Sequence, residues 1–391
     1  MRVAIIHTRY RQRGGEEAVV EAEAALLERH GHEVHDLAFD NAALPDDAPF
    51  RAAAMTLWNG TAYRSVRDAC ARIKPDVVHV HNTFPAASPA VIVGAAEYPI
   101  VHTLHNYRWL CPAATFLRDG RPCEDCLGRL PWPAVVHNCY RERRTASAVV
   151  AVALAFHRLR GTLAHVDRFI ALSAFARNKL IQGGFPAERV VVKPNFSQPT
   201  DPARPSPSAE RFALYVGRLS EEKGIRVLAQ TWREHPGLPP LEVIGQGPLR
   251  SELEGIPRVL LRGEQPHGEV RARLAAAHAL VMPSICYEGL PMVLLEAAAS
   301  GLPVIASDIG SLSELVDPGV TGWRVLPGQP SSLAAAIRVA FAVAPRARSE
   351  MSAATRARHA RDFSPTVNIE ALLSVYDQAV AHHRVERGLN S

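Results

Sequence analysis

The chain has 391 residues, 47% hydrophobic and 21% charged, which excludes wholesale disorder, a collagen-like repeat and a disulfide mini-scaffold. Lys and Arg number 44 against 39 Asp and Glu, and the whole excess of +5 falls in residues 1–196. A basic half favours an anionic partner such as phosphate, a membrane surface or nucleic acid.

Val3–His7 reads as a short strand, followed by the loop glycines Gly14 and Gly15 and a helix from Glu17 to Arg29 closed by Gly31. Glu33–Leu37, Asp76–His81, Ile100–Leu104, Asp167–Leu172 and Val190–Val192 are further strands with helical stretches between them. The run 197–210 holds four prolines and no apolar periodicity, so it reads as a linker. The alternation then restarts. Phe212–Val216, Leu241–Ile244, Val259–Leu261, Ala279–Met282 and Val304–Ala306 are strands; Gly224–Trp232, Glu269–His278 and Pro291–Ala299 are helices, the last opened by proline at its first position. The tail from Pro365 to His383 is helical.

Such alternation predicts an α/β protein with two parallel sheets, each binding ligands beyond the carboxyl ends of its strands. The domain reading is 1–196, with a Cys-rich insert at 111–140; a linker at 197–210; 211–364; and 365–391. No apolar run approaches the ~18 residues of a spanning helix and no secretory cleavage pattern opens the chain, so a cytoplasmic location is the expectation.

The most informative stretch is CYEGLPMVLLEAAASG, residues 286–301. Glu288 precedes a helix whose first turn would offer free N–H groups to an anion. Gly289 lets the backbone approach a ligand, and Glu296, about two turns in, can accept paired hydrogen bonds from a diol such as a ribose. Two glutamates alone would equally suit a solvated helix face. GRLSEEKGI (217–225) places Arg218 and Lys223 at a strand's carboxyl end, where phosphate would sit. VIGQGP (243–248) adds a glycine turn at Gly245, without the spacing of a dinucleotide fingerprint.

Taken in order, GGEE, TLHNY (103–107), KPNF (193–196), VGRLSEEKGI, IGQGP, EGLPMVLLE, SDIGSLSELV (307–316) and GVTGWRV (319–325) resemble the family-4 retaining glycosyltransferases of group 1. The resemblance implies the GT-B fold: two Rossmann-like domains facing across a cleft, the C-terminal one holding a nucleotide-sugar donor (UDP-, GDP- or other), with the last helix crossing back to the first domain. By position, Arg218 and Lys223 match the diphosphate-binding pair. Glu296 matches the ribose acid, and Glu288 the acid facing the transferred sugar. His105 matches a histidine near the sugar 6-hydroxyl, and Gly15 the loop glycine that approaches the diphosphate. Gly245, Gly289, Leu290 and Pro291 complete the donor-binding set. The resemblance implies metal-independent transfer with same-face attack by an acceptor, which is a sugar, a lipid-linked group or a small molecule. A nucleotide-sugar epimerase or phosphorylase of the same fold is the alternative. From a different class, the basic half and the CxxC pair leave a zinc-stapled nucleic-acid-binding protein, disfavoured by the lack of a basic stripe with interleaved aromatics.

Three features stay open. Cys111, Cys123, Cys126 and Cys139 have the spacing of a structural zinc knuckle, and unbound thiols or disulfides satisfy the same pattern. His79 and His81 share a strand face, which allows a histidine metal site. Residues 141–160 carry five arginines around an apolar middle, suited either to a solvated helix or to a peripheral contact with an anionic membrane.

Overall fold

A computed structural model describes residues 1–11, 14–45, 48–199 and 211–388. Of the linker at 197–210, residues 200–210 lie outside the described residues. The chain divides into two compact units. The first comprises Met1–Ala114, Glu124–Pro194 and the C-terminal segment from Asn368; the second comprises Thr115–Cys123 and Asn195–Val367.

The first unit is built on β1 (Arg2–Arg9), β2 (Glu33–Asp40), β3 (Val77–Val80) and β4 (Ile100–Leu104). A short hairpin of β5 (Leu117–Arg118) and β6 (Arg121–Pro122) comes next in the chain, then β7 (Arg168–Ala171) and β8 (Val190–Val192) return to the sheet. The hairpin groups with the second unit, so the insert at 111–140, read as part of the first domain, is divided between the units. The first sheet is parallel, in the order β2-β1-β3-β4-β7-β8. Val3–Ile6, Val77, Val78, Ile100, Val101 and Ile170 are at most 1% exposed, as expected for strands covered on both faces. The strand order reverses direction between β1 and β3, so the ligand-binding end of this sheet lies after Thr8 and His81.

The second unit repeats the design with β9 (Ala213–Val216), β10 (Leu241–Ile244), β11 (Val259–Gly263), β12 (Ala279–Met282), β13 (Val304–Ser307) and β14 (Gly322–Val325). These form a parallel sheet in the order β11-β10-β9-β12-β13-β14. Tyr215, Leu228, Trp232, Val243, Val281, Ile305 and Ile337 fill its core. Here the switch point lies between β9 and β12, at the segments that carry Arg218 and Ser284. The two sheets therefore differ in order, a distinction invisible in the strand–helix alternation.

The final helix, Pro365–Glu386, buries Asn368, Ile369, Leu372, Val375, Tyr376, Ala379 and His383, one helical face. That face belongs to the first unit: Tyr376 Oη lies 2.8 Å from His79 Nδ1, and His382 and His383 contact Asp167 at 2.9 and 3.3 Å.

The basic stretch forms the helix Arg144–Leu159. Val150 and Leu154 pack on Phe84, and only Val152 and Leu159 of its large apolar side chains are strongly exposed, at 54% and 80%. Much of the apolar middle is thus spent on the protein's own interior. Arg158 donates to the carbonyls of Arg129 and Gly183, and Arg160 stacks 4.9 Å from the Trp58 ring. Among the described residues no helix is long and apolar enough to cross a membrane.

Candidate active site

In the second unit the strand ends converge on Lys223 and Glu288. β9 leads into Gly217, the exposed Arg218 and Leu219; a short turn at Glu221–Lys223 follows, and Gly224 (φ 72°) reverses the chain into the helix Ile225–Glu234. A Cβ on Gly224 would fall 1.9 Å from the Pro283 carbonyl oxygen, so only glycine lets this turn press on the end of β12. Lys223 Nζ donates to both Glu288 oxygens, at 2.7 and 2.8 Å, and Ser284 Oγ donates to Oε1 at 2.7 Å. Ser311 Oγ holds the Glu288 carbonyl at 2.9 Å. The Glu288 side chain is 10% exposed. Burial lowers the Lys223 pKa, but the charge and hydrogen bond of Glu288 offset it and leave the value raised, so the ammonium stays charged. The Cys286 thiol and the Tyr215 hydroxyl are both pushed up, by burial first and then by Glu288, and remain neutral.

Gly245 packs its backbone directly on the neighbouring loop. At φ 136° its Cβ position is 2.0 Å from the Gly217 carbonyl oxygen, and the Cβ position of Gly247 is 2.3 Å from that of Leu219. The loops after β9 and β10 are zipped by Gly217 N–H to Ile244 C=O and Leu219 N–H to Gln246 C=O, at 3.0 and 2.8 Å. Gly245 thereby positions the loop that presents Arg218.

The helix after Glu288 spans Met292–Ser300, with Pro291 as its N-cap rather than its first residue, a correction of one position. Leu290 is buried and Gly289 half-buried. Among the described residues no side chain caps the first turn, which leaves its amides to an incoming group. Glu296 lies further along this helix, 16% exposed, with Oε1 2.9 Å from His267 Nε2. Ser284, Ser311 and His267 escaped the sequence reading. Ser284, four residues before Glu288, was the one with a local signal.

In the first unit, Gly15 is the exposed first residue of the helix Gly15–Arg29. Glu17 ties down the preceding loop by accepting from the amides of Tyr10 and Gly14, at 2.7 and 2.5 Å. Glu16, beside Gly15, accepts from Tyr10 Oη at 3.0 Å, and burial pushes its carboxyl up to about 7. Glu16 lines a pocket shared with His105, His81, Asn106, Arg108 and Trp109. Arg108 is fixed there, its guanidinium 4.9 and 5.1 Å from the Phe84 and Tyr140 rings. His105 Nε2 lies 2.9 Å from His81 Nδ1, and burial, then His7 and Lys193, bring the His105 pKa down to about 3. His102 donates from Nδ1 to the Val80 carbonyl at 3.0 Å and accepts from Trp109 Nε1 at 3.2 Å, which fixes it as a neutral structural ring. Lys193, from the KPNF motif, is 1% exposed and ion-paired to Glu23.

Cys111 and Cys126 are buried and Cys139 half-buried in the first unit; Cys123, half-buried, lies on the segment that groups with the second. The metal-ligand spacing that the described residues do show belongs to Glu23, His79 and His81, whose ligand atoms lie within 4.8 Å of one another.

Two families match the chain: Glycosyltransferase Family 4 over residues 13–197 and Glycosyl transferases group 1 over 210–342. The glycogen synthase of Mycobacterium tuberculosis is 32% identical over 318 residues, 78% of this chain and 69% of that protein. TuaC of Bacillus subtilis, named for teichuronic acid biosynthesis, is 29% identical over 252 residues, 62% of this chain; the match spans 55% of its own length. Two solved structures share the fold. The Anabaena protein Alr3699/HepE, solved with UDP-glucose, aligns at 19% identity with a TM-score of 0.65, covering 96% of this chain and all of that one. The sucrose-phosphate synthase of Thermosynechococcus elongatus aligns at 20% identity and 0.67, covering 97% and 99%. With its two parallel-sheet units and these matches, the chain belongs to the group 1 glycosyltransferases: it has the GT-B fold and is a glycosyltransferase enzyme.

Proposed function

We propose that this enzyme moves a sugar from a nucleotide-diphosphate donor to an acceptor hydroxyl, with retention at the anomeric carbon and without a catalytic metal. The carrying observation is the pairing of Lys223 with Glu288 at the switch point of the second sheet, beside a helix start that no side chain caps. The hard step breaks the bond between the anomeric carbon and a phosphate oxygen. Negative charge builds on the departing diphosphate and positive charge on the sugar. Lys223, Arg218 and the first-turn amides near Met292 supply donors aimed at that diphosphate, where they count most in the transition state. Glu288 faces the sugar, Glu296 takes the ribose, and the first unit supplies His105, Gly15 and the acceptor. The diphosphate itself takes the acceptor's proton.

A uridine donor is favoured by Alr3699/HepE, solved with UDP-glucose, and a polysaccharide or glycan acceptor by relatives named for teichuronic acid and amylovoran biosynthesis. The sequence spacing of Cys111, Cys123, Cys126 and Cys139 suits structural zinc. A lipid-linked acceptor would bring the exposed Val152 and Leu159 to an anionic surface.

A thermal-shift panel of nucleotide sugars, followed by transfer assays and the anomeric configuration of the product by NMR, tests this. A stabilising donor and a retained configuration are expected. An inverted product removes the retaining mechanism, and a donor isomerised without acceptor points to an epimerase instead.

A further inference from the structure

The first unit holds a buried line of polar groups that ends at His105. Glu23, on the helix Gly15–Arg29, is 1% exposed, and its Oε1 accepts from the buried Lys193 ammonium. Among the described residues its Oε2 has no hydrogen-bond partner; 3.7 Å away lies His81 Nε2, which has none either. The other nitrogen of that ring, His81 Nδ1, is 2.9 Å from His105 Nε2. Lys193, Glu23, His81 and His105 thus follow one another from the interior to a half-buried ring on the pocket wall.

Elimination assigns the protons along this line. Burial, reinforced by His79 and His105, holds His81 well below the ordinary histidine pKa, so the ring is neutral and carries one proton. With that proton on Nδ1, the Nε2 lone pair would face the lone pairs of a buried carboxylate. With it on Nε2, the N–H faces Glu23 and Nδ1 can only accept. The 2.9 Å contact then requires His105 to donate from Nε2, which leaves His105 Nδ1 as an acceptor.

We propose that Glu23 and His81 are positioning residues that hold His105 in the Nε2–H tautomer, so that its Nδ1 accepts a hydrogen bond from a hydroxyl of the bound sugar. The proposal rests on the reading of His105 given above. A metal held by Glu23, His79 and His81 is the competing use of the same groups. Lys193 already neutralises Glu23 at contact distance, and both His79 nitrogens are engaged, with Tyr376 at 2.8 Å and Thr103 at 2.7 Å. A cation there would sit against an ammonium.

The test uses the full enzyme with histidine labelled with nitrogen-15. Long-range proton–nitrogen spectra report each ring's tautomer, and His105 is assigned by its loss in His105→Gln. The parent is expected to show His105 protonated on Nε2. His81→Phe and the double variant Glu23→Gln/Lys193→Met are expected to lose that single tautomer; the double variant removes both buried charges together instead of stranding one. Each should lower kcat on the order of 10-fold with donor KM held within about two-fold, and the double variant should add nothing to the loss in His105→Ala. A parent His105 protonated on Nδ1, or a folded double variant with unchanged tautomer and rate, overturns the proposal, as does stoichiometric metal in the parent that His79→Gln abolishes. Full activity of His105→Ala would instead remove the sugar-hydroxyl reading, leaving the spectra to decide the positioning by themselves.

Discussion

The Lys223 ammonium bridges both oxygens of Glu288, at 2.7 and 2.8 Å, across 65 residues of chain. A diphosphate recruited to Lys223 therefore competes with a carboxylate already in place. Arg218 is exposed and has no such side-chain partner among the described residues. Lys223→Ala should thus slow transfer on the order of 10²–10³-fold and also lower the melting temperature, because Glu288 is left charged and buried. The stability cost is about 2 kcal/mol, below the usual 3–5 because Lys223 is partly exposed. Arg218→Ala should slow transfer with the melting temperature unchanged. Calorimetry beside initial rates separates the two; equal melting shifts would count against this division of labour. Glu288→Ala should mainly slow transfer.

Glu296 meets His267 at 2.9 Å, and the histidine side chain is 68% exposed. A ribose diol that takes Glu296 must displace or share that ring. Glu296→Ala should weaken donor binding on the order of 10-fold, as expected for a charged hydrogen bond of about 1.5 kcal/mol. His267→Ala should leave the dissociation constant unchanged or lower it. Isothermal titration with the donor reads both, and undiminished binding by Glu296→Ala would remove the ribose assignment.

Gly245→Ala should be costly although it deletes nothing. Its φ of 136° and a Cβ 2.0 Å from the Gly217 oxygen force the two loops apart. Chemical denaturation should show a loss on the order of 2 kcal/mol, with weaker donor binding because the Arg218 loop moves. A variant as stable as the parent would mean that the loops part freely.

Acid should destabilise the first unit. Burial brings His7, His102 and His157 down from 6.5 to about 4. The unfolded chain therefore binds more protons than the folded one between pH 6.5 and pH 4, and stability present above 6.5 is lost as pH falls, on the order of 3 kcal/mol per group. Glu16 runs the other way. Its raised value of about 7 favours the folded state at low pH, and that contribution fades as pH rises from 4.5 to 7. Three histidines outweigh one glutamate, so urea midpoints should fall from pH 7 to pH 4.5. A flat profile would mean that these rings are charged or hydrated in the folded state.

The zinc proposal has a direct check. Elemental analysis of the purified parent should find about one zinc per chain, sharply reduced in Cys123→Ser. A zinc-free parent removes the site.

The sequence made the elements legible because strand and helix periodicities are local. DVVHVHN reads as a buried strand from its own residues, and β3 lies inside it. Pro291 misled by one position because its φ of −64° suits an N-cap as well as a first turn. The stretch 141–160 read as a solvated helix or a membrane contact; Phe84, far upstream in the chain, takes up Val150 and Leu154 of its apolar middle. That Gly245 lies against the Gly217 carbonyl was not legible, because a backbone packed on another backbone needs the same missing side chain as one packed on a ligand.

By itself the sequence determined the two α/β halves, the ordered motifs of the group 1 glycosyltransferases and the residue types after the strands of the second half. Those follow from composition and spacing along one stretch of chain. Only the tertiary structure decided that the two sheets differ in strand order, that Lys223 meets Glu288, and that Glu23, unremarkable on an amphipathic helix, meets Lys193 and His81. Such pairings depend on register and packing between distant segments, and no local pattern encodes which buried charge will find which partner.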